Sequence, residues 1–309
     1  MRSLDYLLDN SGHKATCSEF SRSINNDPCG TAIHTSKIIV IDVHLPWPNK
    51  ILDHKLFTGF EKLVNHSFFS RTKILFRVPQ NPDELKISIF QKQTPTVETS
   101  ISYERTSDIK NILTDICEGH STNTLAKKNI THPIVLVCCH GTRDTCCGSA
   151  GTKLANELLQ QTKFSIQKVS HLGGHRFAPT ILTLPNGRMW AYLSTQNTIN
   201  IINKDIKVKK IISKYRGWWG ASSNDQQISE KELFADVGWD LDKNPPTSIE
   251  EQILNQDQKL FTLQTKYKKA DVEVTRIKNT PIVECKKQNG GNIKYQRTFK
   301  SKLISIRDI

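Results

Sequence analysis

Cys138-Cys139-His140-Gly-Thr-Arg143-Asp144-Thr-Cys146-Cys147 places four thiols within ten positions, and His171-Leu-Gly-Gly-His175 follows a short distance on. Thiolates and imidazoles are the donors that hold zinc and iron–sulfur centres. Each cluster follows an apolar or alternating run with strand character, residues 133–137 and residues 164–169. Two Cys and two His make a four-donor set, and its composition admits three chemistries. Tetrahedral zinc suits the three-residue gap between the histidines, although the eight residues between Cys138 and Cys147 are unlike a zinc-finger knuckle. A [2Fe-2S] cluster with two thiolates on one iron and two imidazoles on the other is the second, as in Rieske centres. Thiol–disulfide redox through the vicinal cysteines is the third, although no Cys-x-x-Cys motif is present. Spacing alone does not choose among them. His-x-x-x-His by itself is an ordinary surface pair and paired Cys an ordinary packing element; their co-occurrence at successive strand ends favours a metal centre.

The elements around these residues follow from periodicity. Residues 38–43 form a β-branched run that reads as a buried strand, stopped by Pro46 and Pro48, which cannot donate to a ladder. Residues 57–64 have helical spacing, and residues 73–78 and 85–90 read as strands. Strand, helix, strand, strand makes an α/β unit, followed by helix and linker over residues 107–125. A second unit repeats that order: strand 133–137, helix 152–159, strand 164–169, then a hairpin over residues 180–193 turning at Pro185-Asn186-Gly187. The shared order suggests structural duplication. Gly173 and Gly174 would each cost a helix about 1 kcal/mol, so the histidine pair belongs on a tight loop. Past Trp218-Trp219, residues 228–234 and 249–263 have helical patterns, and residues 269–277, 281–285 and 293–299 alternate as strands.

These readings divide the 309 residues into a polar arm (1–30), an N-terminal α/β unit (31–127), a second α/β unit (128–225) and a C-terminal α+β extension (226–309). No run approaches the ~20 apolar residues of a membrane span, and the N-terminus lacks a signal-peptide core. A cytoplasmic protein without membrane partners is the expectation. The formal charge of +13 would attract anionic partners. The basic residues are dispersed and accompany no nucleic-acid-binding motif, so a nucleic-acid partner is not expected.

Residues 135–147 and 169–179, with Gly30-Thr31-Ala32, residues 38–48 and Tyr215-Arg216-Gly217, resemble the sucrase/ferredoxin-like family over roughly residues 28 to 220. The resemblance implies a thioredoxin-like ferredoxin unit, preceded by a related α/β unit. It also implies a [2Fe-2S] cluster held by Cys138, Cys147, His171 and His175, and a one-electron carrier rather than an enzyme with its own substrate. Cys139 and Cys146 become neighbours of the ligands, His140 faces solvent, and Arg143 and Asp144 pin the loop or cap the following helix. A zinc-stabilised interaction module and a thiol-based redox protein remain the alternatives. The redox partner is expected to be acidic or flavin-containing. The first half of the family's name implies no glycosidase chemistry, and no carboxylate pair supports any.

Replacing two thiolates by neutral imidazoles removes negative charge from the centre, which raises its reduction potential. Imidazole ligands also carry an ionisable N–H. A redox titration should therefore show a potential that falls as pH rises from neutral to alkaline; a flat profile would count against imidazole ligation.

Overall fold

A computed structural model describes residues 16–60, 72–83, 85–91, 99–103, 111–114, 130, 132–283 and 294–309. Its centre is a nine-stranded mixed sheet. The strands are β1 (Lys37–Asp42), β2 (Thr72–Arg77), β3 (Ile87–Gln91), β4 (Thr99–Tyr103), β5 (Ile134–Cys138), β6 (Ser165–Val169), β7 (Ile181–Leu184), β8 (Arg188–Trp190) and β9 (Tyr215–Trp218), in the order β4-β3-β1-β2-β6-β5-β7-β8-β9. The protein is thus mixed α/β, as the patterning implied. β1 and β2 run parallel, and so do β5 and β6. β3 is antiparallel to β1 and β4 to β3; likewise β7 is antiparallel to β5 and β8 to β7. The two halves therefore share strand order and sense, and meet where Arg77 of β2 pairs antiparallel with Val169 of β6.

Burial explains the strands. Val135, Leu136 and Val137 of β5 are fully buried, on both faces of the sheet, which is why the run is continuously apolar rather than alternating. Behind Cys138 a π-helical turn, Cys147–Gly151, leads into helix α2 (Thr152–Gln161), whose Leu154, Ala155 and Leu158 pack on Val135 and Ile166. The β7–β8 hairpin turns at Pro185-Asn186-Gly187 as expected, with Gly187 at φ 68°. Helix α3 (Thr195–Asn203) and strand β9 complete this half.

Three sequence-based expectations change. The polar arm contains helix α1 (Cys17–Ser23), started by a capping box in which Thr16 and Glu19 exchange hydrogen bonds. Residues 249–263 are no helix but a hairpin of β10 (Ser248–Ile253) and β11 (Gln258–Gln264). The apolar positions there fit both periods, and the Asn255 side chain decides, accepting the Asp257 N–H in a turn that a helix would forbid. Residues 269–277 and 281–282 belong to one long strand, β12 (Lys268–Ile282), which pairs with β13 (Lys294–Asp308) across register shifts. Residues 61–64, most of 107–125 and 284–293 lie outside the described residues.

β10 to β13 form a separate antiparallel sheet that packs on helix α4 (Asn224–Val237), placing Phe261, Leu263, Val272 and Val274 in one core with Leu233 and Phe234. Beside them the buried Arg188 guanidinium is neutralised by Glu230 at 2.9 Å and Asp242 at 2.5 Å and lies over the Phe234 ring. Phe261→Ala should cost about 3–5 kcal/mol. Urea unfolding followed by two probes, near-ultraviolet and far-ultraviolet dichroism, should show both shifting together if the C-terminal sheet and the main sheet share this core.

Candidate metal centre

The parallel register of β5 and β6 pairs Cys138 with Val169. Their C-terminal ends therefore lie side by side, and the two motifs that follow them emerge together. The ligand atoms of Cys138, Cys147 and His171 lie within 4.8 Å of one another, with both cysteines buried and His171 at the solvent edge. His175 is adjacent, its ring centre 6.2 Å from that of His171, but its Nδ1 faces Cys17 Sγ at 3.0 Å. Three of the four expected donors are thus gathered, and the fourth stands beside them.

Close backbone packing brings Cys147 back to Cys138. A Cβ on Gly151 would lie 1.9 Å from the Cys138 carbonyl oxygen, and one on Gly148 would lie 2.4 Å from the Gly141 Cα. Only glycine lets the π-helical turn press this tightly on the end of β5. The loop is gripped from the other half of the sheet. His140 Nε2–H donates to the Pro48 carbonyl at 2.9 Å and its ring stands edge-on to Trp47, and Thr142 donates to the Trp47 carbonyl. His140 is therefore buried rather than solvent-facing; the residues that bury it come from a segment remote in sequence. Trp47 itself is core packing.

Beneath the histidine loop lies Arg216. It donates to the Gly173 carbonyl at 3.1 Å, and to the side chain and carbonyl of Thr31. Gly173 and Gly174 both have positive φ, and a Cβ on Gly174 would meet the Arg216 guanidinium at 2.6 Å. The distant stretches containing Thr31 and Arg216 thus meet at one guanidinium that shapes the loop carrying His171 and His175. Burial lowers the Arg216 pKa to about 10.

Asp144 has a larger role than loop pinning. Its carboxylate lies 2.9 Å from His171 Nδ1 and 3.8 Å from His175 Nδ1, and only 3.9 Å from Arg143. Burial opposes its ionisation, but His171 more than compensates and holds the carboxyl below its ordinary range. Burial likewise opposes charge on His171, yet Asp144 and Cys138 outweigh it and raise its pKa. For His175 burial prevails and the pKa falls. The contact between the Cys138 and Cys147 thiols lowers the Cys138 pKa and raises that of Cys147. Two paired thiols, one with a lowered pKa, beside two imidazoles are a donor set for a soft or borderline metal. The residues present fit a metal or an iron–sulfur centre.

The sucrase/ferredoxin-like family profile matches residues 28–217. The chain belongs to that family. All four candidate donors fall inside the matched span. Similarity also extends to altered inheritance of mitochondria protein 32 of Meyerozyma guilliermondii, 33% identical over 103 residues, which are 30% of this chain and 36% of that protein. The chain therefore aligns with about a third of that relative's length. No solved structure matches the chain. Among the described residues, no helix is long and apolar enough to cross a membrane.

Sequence reasoning named Cys138, Cys147 and His171, which the structure gathers, and His175 beside them, but missed Asp144 between the histidines, Arg216 as their support and Cys17 as a neighbour. Residues 215–217 carried a signal as a family stretch without indicating a role. In metal-free protein the His171–Asp144 pair stabilises the fold where both are charged. The raised His171 pKa makes that stability complete below its ordinary range and lost as pH rises through the raised value; the lowered Asp144 pKa makes its share vanish only in acid. Asp144→Asn should therefore cost about 2 kcal/mol near pH 6 and clearly less near pH 9, as read by thermal melts at the two pH values.

Proposed function

We propose that this protein is a one-electron carrier whose Cys138, Cys147, His171 and His175 hold a [2Fe-2S] cluster. The single observation that carries the reading is the convergence of Cys138, Cys147 and His171 at the paired ends of β5 and β6, in a chain of the sucrase/ferredoxin-like family. The strand order β6-β5-β7-β8, with its parallel β5–β6 crossover and antiparallel β7 and β8, supports the thioredoxin-like arrangement expected of the second half. Bound there, the cluster supplies a reversible one-electron couple.

The chain's own contributions are definite. Cys138 and Cys147 present sulfur from a dry interior, which strengthens electrostatic interactions and excludes water. His171 and His175 lie at the solvent edge, with side chains 15% and 22% exposed, on the side a partner would approach. Asp144 holds the Nδ1 edge of His171, and charge on that carboxylate favours the protonated imidazole. His175 would need only to turn from Cys17 to complete the set. Arg143 is exposed at the rim of the same loop, and together with the strongly basic composition it supports an acidic or flavin-containing redox partner.

Anaerobic purification should give a coloured protein with iron and acid-labile sulfide in equal amounts and two irons per chain. Cys138→Ser or Cys147→Ser should remove most of the colour. A colourless protein carrying one zinc per chain would instead establish the zinc-stabilised module. Arg143→Glu should slow reduction by an acidic flavoprotein donor roughly tenfold at low salt and much less at high salt, the signature of electrostatic steering.

A further inference from the structure

Cys17 and Cys146 sit 129 positions apart in the chain, yet their sulfurs are 3.1 Å apart in the interior. Both residues are almost wholly buried, 1% and 2% exposed, and with Ala178 they form a small apolar cluster of their own. We propose that Cys17 and Cys146 are a dithiol pair that closes to a disulfide, strapping α1 to the turn that carries Cys147. The proposal is independent of what the neighbouring donors hold.

The placement of Cys17 is set by several contacts rather than by chance proximity of one side chain. The capping box of Thr16 and Glu19 fixes the start of α1 one residue before Cys17. Phe20 is buried one turn further on, and Arg22 donates to the Ala178 carbonyl at 2.9 Å. These contacts dock α1 on the 3-10 turn His175–Phe177. Cys146 is fixed from the other side, because Cys147–Gly151 cannot move away from Cys138 without losing the glycine-only approach described above. The two sulfurs face each other between these anchored elements, about 1 Å beyond the ~2.05 Å length of a disulfide. Cys29 and Cys139 make no such contact: Cys29 Sγ donates to the Gln227 carbonyl at 3.6 Å, and Cys139 lies on the far side of the loop against the core of α2.

A hydroperoxide is the co-reactant class that such a buried pair admits, being small enough to enter on local opening of a seven-residue helix. One thiolate attacks the peroxide oxygen, the O–O bond breaks, and hydroxide leaves to give a sulfenic acid. The second thiol then displaces its oxygen as water and forms the S–S bond. The net change consumes two thiols and one hydrogen peroxide and yields one disulfide and two waters. A thiol reductant reverses it. Closure would fix Cys146, and with it the adjacent Cys147, to α1, and would remove the Cys17 thiol from its contact with His175 Nδ1 at 3.0 Å.

The test uses the full chain with its centre intact, treated with one equivalent of hydrogen peroxide, alkylated, digested without reductant and mapped by mass spectrometry. The expected product is a peptide pair joining Cys17 to Cys146, two hydrogens lighter than the reduced pair, in most of the chains and abolished by dithiothreitol. Its thermal midpoint should rise on oxidation, since the bond closes a long loop. Cys17→Ser and Cys146→Ser should each abolish the linked pair and the rise, whereas Cys29→Ser should keep both. Alkylation of both Cys17 and Cys146 after oxidation would overturn the proposal, as would a dominant linkage of either to another cysteine. Bleaching of the centre with a Cys138–Cys147 linkage and no Cys17–Cys146 linkage would overturn it too. The wild-type map decides even if a serine variant fails to fold, and metal analysis of the same sample reports separately on the electron-carrier reading.

Discussion

The parallel pairing of β5 with β6 is the constraint on which the site depends. A parallel pair sends both C-terminal ends to the same edge, so the loop after Cys138 and the loop after Val169 must emerge side by side. Everything else refines that meeting. The π-helical turn returns Cys147 by pressing Gly151 on the Cys138 carbonyl, and Arg216 shapes the histidine loop by holding the Gly173 carbonyl from below. Asp144 then spans the two imidazoles. The Asp144 carboxylate and the Cys138 thiol, both costly to bury as anions, are each offset by the His171 imidazole inside this corner.

The first half of the main sheet repeats the strand order of the second without repeating its donors. Where β5 ends in Cys138 beside Val169, β1 ends in Asp42 beside Arg77. These two form a buried ion pair, and Ser88, Gln167 and the Lys86 N–H satisfy their remaining hydrogen bonds. A fully bonded ion pair at the corresponding strand ends serves as internal structure. The first half instead acts on the site from outside, its Trp47-Pro48-Asn49 segment holding the loop through His140, Thr142 and Arg143. The same strand order thus carries the candidate ligands in one half and a clamp on their loop in the other.

Legibility followed the range of the interaction. Strands β1, β2, β5 and β6, helix α2 and the β7–β8 hairpin were readable because local periodicity and turn chemistry set them. Residues 249–263 were misread because Ile249, Ile253, Leu260 and Leu263 recur at helical spacing, whereas β11 buries Phe261 and Leu263, two apart, and an Asx turn at Asn255 separates the two strands. α1 was missed because seven residues carry too little periodicity to stand out, even though Thr16 and Glu19 spell a capping box. His140 was placed in solvent because nothing near it in sequence buries it.

The sequence alone determined the donor chemistry: which residues offer sulfur and nitrogen, that each group follows a strand, and that glycines permit tight approach. Those are local properties of residue type and spacing. Only the tertiary structure decided that Asp144 faces both histidines, that Arg216 and Thr31 share one guanidinium, and that Cys17 meets Cys146. Each of these joins elements that pair through the sheet or pack across it, and side-chain contacts between remote segments exist only once strand order and register have set their distance.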